Sequence, residues 1–299
     1  MLRRLGVRGP VALISAGWRY DEDRDEPLCA EIGMTVHNLR LYDAYVELER
    51  EAPDLARAYA RKQAELMAAK DRYRMALGPA MATSCALWTA RRDPRCPFYL
   101  QSIAHVRSLD ALFHDEALRL HAAFDAEVRP QRHPMVRATV ARARDILAGC
   151  QAVLVAGGHV GILRNRMAFF GMGELLRGRT VVAWSAGAMV LTERVFLYHD
   201  HTPGAHQPAE LLDRGFDLVS GVVYLPHAAT RLNTHDADAL RILVARLAPS
   251  TVVTLEPGAL LAGGVRSIGP VGTACRIDDE GRLLSLGVAA AEGAHAAGA

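Results

Sequence analysis

Five short, uninterrupted apolar runs constrain this chain most: Val11-Ala12-Leu13-Ile14, Val153-Leu154-Val155-Ala156, Thr180-Val181-Val182-Ala183, Val222-Val223-Tyr224-Leu225 and Thr251-Val252-Val253-Thr254-Leu255. None alternates polar with apolar residues. Each is therefore expected to be a strand buried on both faces, with helical stretches lying between most of them. That alternation predicts an α/β fold with a doubly wound, mainly parallel sheet.

Between the first two runs the pattern changes. Leu55, Tyr59, Leu66, Tyr73 and Leu77 recur at helical spacing, as do Leu109, Phe113, Leu120 and Phe124, and then Val136, Val140, Ala143 and Leu147. Pro53 is suited to open the first helix, Gly78-Pro79 to end or kink it, and Gly149 to close the third. The expected organisation is an α/β domain from residues 1–37 and 148–287, a helical insertion over 38–147, and a fraying Ala/Gly-rich tail over 288–299. The acidic run Tyr20–Glu26 is expected to be a solvated loop. Cys275–Ile277 and Leu283–Ser285, separated by Asp279-Glu280-Gly281, form a predicted terminal hairpin.

Composition narrows the partners. A net charge of +2 and a pI near 8.3 give no electrostatic footprint for nucleic acid. Only Lys62 and Lys70 are lysines, so almost all positive charge is arginine. Five scattered cysteines with no C-x-x-C pair favour neither a disulfide frame nor a zinc site, which predicts a cytoplasmic protein. No run approaches the roughly 18 apolar residues of a membrane span.

The chemistry-bearing residues lie in the carboxyl-terminal half. In Thr180–Val190 a strand gives way to Ser185 and then to a helical run, with Ala183 and Gly187 two residues to either side. Small neighbours suit a cramped turn that lifts a hydroxyl out of a sheet, and the helix beyond aims free N–H groups at the same point. An ordinary N-cap serine is the alternative. A serine nucleophile needs a base, and His227 follows the Val222–Leu225 strand and the stiffening Pro226, at the strand end where open parallel sheets bind ligands. A histidine that only caps the strand is the structural alternative. Asp200 is the candidate orienting acid, with Glu193, Glu210 and Asp213 as rivals. His199, Asp200 and His201 cluster, but strand neighbours alternate sides and no further ligand is suitably spaced, so no metal and no cofactor are expected. Gly157-Gly158 follows a buried strand, and the N–H groups of Gly158 and Ala186 are candidate oxyanion donors. A plain turn or a weak phosphate loop would use the same glycines, although no nucleotide-binding glycine motif is present.

Three segments together resemble the dipeptidase E and cyanophycinase group of serine peptidases, in the flavodoxin-like class I glutamine amidotransferase-like superfamily. They are Val155-Ala156-Gly157-Gly158-His159, Trp184-Ser185-Ala186-Gly187-Ala188, and Gly215 through His227. The resemblance implies a nucleophilic Ser185, a base at His227, a supporting acid near Asp200, and hydrolysis of peptide bonds involving acidic residues. His159-Val160 stands where that group has Asn-Gln, and the helical block is longer than in the compact dipeptidases. Gly157, His159 and Arg231 are the expected substrate contacts, the substrate being a small peptide or amide; the alternatives are a plain helix start for His159 and a surface or salt-bridged place for Arg231. Two further readings use the same residues: an acyl or amide transferase, and a non-catalytic binding protein. In the second, the helical block would offer a surface for a homodimer or another partner.

Overall fold

All four residues of Val11–Ile14 (β1) are sealed from solvent, as are those of Ala152–Val155 (β3), as uninterrupted apolar strands require. The computed structural model describes residues 2–198, 208–270 and 272–287. The chain divides into two compact units. One comprises Met1–Pro79, Ser108–Leu197 and Glu210–Leu218; the other comprises Ala80–Arg107, Tyr198–Ala209 and Val219–Ala299.

In the first unit β1 and β3 sit at the centre of a four-stranded parallel sheet. Val36–Asn38 (β2) flanks β1, and Val181–Ala183 (β4) flanks β3. Val11, Leu13, Leu154 and Val182 bury one face against Leu2 and Val7, with Leu28, Ile32 and Met34 packed alongside. Leu28 and Ile32 belong to the short helix Glu26–Ile32 (α1). The first unit also contains the helices Leu41–Glu51 (α2), Pro134–Ala148 (α5), Val160–Phe169 (α6) and Met172–Leu176 (α7), and parts of Pro53–Arg91 (α3) and Pro97–Glu127 (α4). The division between units falls inside α3 and α4. The stripe residues Leu55, Tyr59, Leu66, Tyr73 and Leu77 are all buried, as are Phe113, Leu120 and Phe124.

Aromatic edges hold these helices in register. Tyr59 meets Tyr45, Phe124 and Phe169 edge to face, and the Arg166 guanidinium lies 3.4 Å from the Tyr45 ring centroid. A desolvated cation on an aromatic face contributes about 2 kcal/mol. Tyr73 stacks on Phe113 at 4.8 Å, while its hydroxyl donates to Asp110 and accepts the Leu211 N–H. Arg194–Leu197 (β5) and Glu210–Arg214 (β6) add an antiparallel pair that the sequence pattern does not announce.

The second unit has its own four-stranded sheet. Val222–Pro226 (β7) runs parallel to Thr251–Leu255 (β8), and Ala274–Ile277 (β11) pairs antiparallel with β8 and with Leu283–Ser285 (β12). The last two form the terminal hairpin expected from the sequence. Leu261–Ala262 (β9) and Arg266–Ser267 (β10) make a separate two-stranded ribbon. Ala237–Leu247 (α10) contributes Ile242 to a cluster with Trp88, Cys96, Tyr99 and Ile103. Trp88 is fixed at both ends, its indole N–H on Asp238 and the Arg241 guanidinium 4.6 Å from its ring. No helix among the described residues is long and apolar enough to cross a membrane.

Two local expectations are corrected. α3 does not end at Gly78-Pro79 but continues to Arg91. Beyond the proline, Ala80 and Trp88 are buried and the Ser84 hydroxyl donates to the Ala80 carbonyl, so packing carries the helix on past one missing donor. The acidic run is not a solvated loop throughout: residues 16–21 are a 3-10 helix and Glu22 is completely buried. One Glu22 carboxyl oxygen accepts the N–H groups of Tyr42 and Asp43, at 2.7 and 2.9 Å, and so caps α2. The other oxygen has no hydrogen-bond partner among the described residues.

Burial drives the Glu22 carboxyl up from 4.5 to about 7, and the nearby Asp43 charge adds to the rise. Its folded value exceeds its unfolded one, so the native state holds the extra proton between these pH values. The associated stability is complete below pH 4.5 and is lost as pH rises through 7. Glu22→Gln keeps an acceptor for the cap but cannot ionise. Relative to this variant, the parent chain should lose about 3 kcal/mol of stability across that window, measured by urea denaturation. Parallel pH profiles for the two proteins would contradict the assignment.

Candidate functional site

The candidate site is built at the carboxyl ends of β1, β3 and β4, which are adjacent in the first unit's sheet. Ligands bind along this edge in open parallel sheets. β4 ends at Ala183, and two residues later Ser185 adopts φ 53° and ψ −126°, a conformation that a side chain resists at a cost of about 1–3 kcal/mol. The helix Ala186–Val190 (α8) starts immediately after it, with every residue buried. The Ser185 carbonyl accepts the N–H groups of Ala188 and Met189, and its side chain makes no capping bond to α8. The plain N-cap alternative therefore does not describe this residue.

The neighbouring glycines are there because nothing larger fits. A Cβ on Gly157 would lie 2.8 Å from the Ser185 Cβ and 3.2 Å from its Oγ. A Cβ on Gly187 would collide with the carbonyl of Val155, the last residue of β3. Gly158, at φ 106°, lies against the Gly17 carbonyl, and Gly17 in turn accepts the His159 N–H at 2.8 Å. Three strand-end loops thus meet backbone to backbone around Ser185. Among the described residues, neither the Gly158 N–H nor the Ala186 N–H donates to a backbone carbonyl. His159 is exposed, and its Nδ1 accepts the Ile162 N–H at 3.2 Å, which makes it the N-cap of α6.

His227 belongs to the second unit. It follows β7 directly, is exposed, and adopts a left-handed φ of 60°. Its N–H donates to the Leu255 carbonyl at 2.7 Å, extending the β7–β8 ladder, and its carbonyl accepts from Thr230. Arg231 is the exposed last residue of Ala228–Arg231 (α9). Asp200, with His199 and His201, lies outside the described residues.

Two rival acids are engaged elsewhere. Buried Glu210 pairs with Lys70 and Arg74, and Asp213 with Arg164 and His121. Burial opposes ionisation of both carboxyls, yet these partners hold each below the usual range, Arg164 by its charge and His121 by a hydrogen bond in the case of Asp213. Glu193 is exposed.

One carboxylate escaped the sequence reading. Pro226 pairs with Leu255, so His227 and Glu256 come next on adjacent strands, and Glu256 accepts the Ala229 N–H at 2.8 Å. The available signal was its place directly after an apolar strand, the same place that singled out His227.

The close approach at Gly187 has a measurable cost. Gly187→Ala should destabilise the protein by about 3 kcal/mol, at the upper end of overpacking effects. Gly149→Ala, at a native φ of −87° that any residue adopts and with an added Cβ only in ordinary contact at 3.7 Å, should stabilise the protein by about 0.5 kcal/mol. Denaturant midpoints for the two variants should move in opposite directions.

No family model matches the sequence, and no curated protein matches it. Among solved structures the chain is similar to a peptidase from an acI-B1 Actinobacterium, with 14% identity and a TM-score of 0.34, over 73% of this chain and 88% of that one.

Proposed function

We propose that this chain is a serine hydrolase that cleaves an amide or peptide bond. The observation that carries the reading is the backbone of Ser185, held at φ 53° and ψ −126° just past a parallel strand, with Gly157 against its side chain. Strain of this kind is retained where the surroundings over-determine it, and it is characteristic of nucleophile turns.

In the proposed cycle the Ser185 hydroxyl attacks the substrate carbonyl while His227 takes its proton. The N–H groups of Gly158 and Ala186 donate to the oxyanion that forms. His227 then passes the proton to the departing amine. Water repeats the sequence on the acyl-serine, releasing the acid and restoring the hydroxyl. Asp200 is the proposed carboxylate that orients the imidazole. Glu256 is the second candidate, favoured by its position beside His227 in the β7–β8 register. Gly157, His159 and Arg231 are the proposed substrate contacts, with Arg231 suited to a substrate carboxylate. The cycle itself calls on no cofactor.

A fluorophosphonate probe tests the nucleophile, because only an activated serine reacts quickly. Labelling should map to Ser185. Ser185→Ala should abolish it and lower peptide turnover by at least about 1,000-fold without shifting the melting temperature. His227→Ala should slow labelling to a similar degree. A Ser185→Ala protein that retains labelling or full turnover would refute the proposal. Comparing Asp200→Asn with Glu256→Gln identifies the orienting acid as the one whose loss costs more rate.

A further inference from the structure

Away from Ser185, the first unit has a half-open pocket of about 260 Å³ lined by α3, α4, α6 and α7. Tyr59, Phe124, Phe169 and Phe216 give its wall four aromatic rings, beside the ionisable Lys62, His121, Asp125, Arg164, Glu174 and Arg214. Into this setting α3 places Lys62, only 8% exposed, with its ammonium 4.5 Å from the Tyr59 ring centroid and 5.2 Å from that of Phe124. A cavity of roughly 150 Å³ accommodates benzene, so this one has room for a ring and a short substituent.

A hydrogen-bonded chain runs back from the amine. Lys62 Nζ is 3.2 Å from Nδ1 of His121, and Nε2 of that ring is 3.0 Å from both oxygens of Asp213. Asp213 is anchored by Arg164 at 2.9 Å and by the Arg214 N–H at 2.8 Å, so it stays ionised and accepts. Nε2 also lies 3.1 Å from Nη2 of Arg164, so it meets a donor as well as the carboxylate; the two 3.0 Å contacts to ionised Asp213 favour the proton on Nε2, which leaves the Nδ1 lone pair facing the lysine. Burial also favours the neutral ring.

The charges around Lys62 come from every packed element: His121 and Asp125 of α4, Arg164 of α6, Glu174 of α7, and Asp213 and Arg214 of β6. Burial, then the Arg164 charge, bring the amine down to about 8, against the pull of Asp213 and Asp125. The other lysine is different: Lys70 is buried in an ion pair with Glu210 at 3.0 Å and does not line the cavity.

We infer that Lys62 is a reactive amine and that this cavity takes a small aldehyde or ketone, preferably aromatic, as a Schiff base. A desolvated lysine beside another cation is the recognised setting for such chemistry. His121 accepts one ammonium proton, and the freed lone pair attacks the carbonyl carbon. The Nζ–C bond forms and the C–O bond breaks. Oxygen leaves as water with two of the three original ammonium protons, and the third remains on the iminium nitrogen. Nothing in this step depends on Ser185.

The test uses the unmodified full chain with benzaldehyde and cyanoborohydride at about pH 7.5, followed by peptide mapping. Two lysines in the sequence make the map simple. Lys62 should be alkylated at least about tenfold faster than N-acetyl-lysine amide under the same conditions, with Lys70 unreacted. Its rate should level off as pH passes about 8. A Lys62 that reacts no faster than the free amine, or whose rate still climbs beyond pH 10, would overturn the inference.

Discussion

Adjacent parallel strands lie only about 4.8 Å apart, and the loops leaving them must share whatever space their turns allow. At the ends of β1, β3 and β4 that space is smaller than a methyl group: Gly157, Gly158 and Gly187 touch neighbouring backbone or the Ser185 side chain directly. This intimacy makes the Ser185 conformation affordable. Burial of all five α8 residues and the continuous β3–β4 ladder offset the strain locally. A site assembled from backbone in this way is positioned by the sheet itself rather than by side-chain choice.

A second constraint is the burial of charge. Asp213 with Arg164 and His121, and Glu210 with Lys70 and Arg74, bring ionised groups to places where water is scarce. Such clusters contribute little net stability, because desolvation cancels most of the attraction, but removing one partner typically costs about 3–5 kcal/mol. Their effect is geometric: the Glu210 cluster ties β6 to α3, and the Asp213 cluster ties it to α4 and α6. Glu22 follows the opposite rule. Among the described residues its carboxyl is bonded to peptide N–H groups and to no cation, and burial is met by holding the proton to a higher pH.

Much of the architecture was legible in the sequence. Uninterrupted apolar runs became strands with parallel partners, and periodic aromatic and leucine stripes became buried helix faces, because burial pattern and residue type report the same physics. The Ser185 turn was legible because small residues bracketed a serine at a strand end. Less visible were features that depend on distant partners. Nothing local in Tyr20–Glu26 says that Glu22 will cap a helix beginning at Leu41. Nothing local says that Pro79 will be carried through by packing beyond it. The pairing of β5 with β6 joins segments whose strand character is weak. Lys62, His121, Asp213 and Arg164 come from four separate elements, and no spacing rule links them; only the rarity of lysine marked one of them. Asp213 was considered as a partner for His227, but its neighbours are His121 and Arg164.

The scarcity of lysine has a consequence for the exterior. Both ammonium side chains are interior, so the exposed cations among the described side chains are guanidinium groups and histidines. Guanidinium does not titrate below about pH 12, whereas a lysine-coated surface would discharge near 10.5. In alkali the exposed arginines among the described residues should therefore keep their positive charge up to about pH 12 while the carboxylates stay negative.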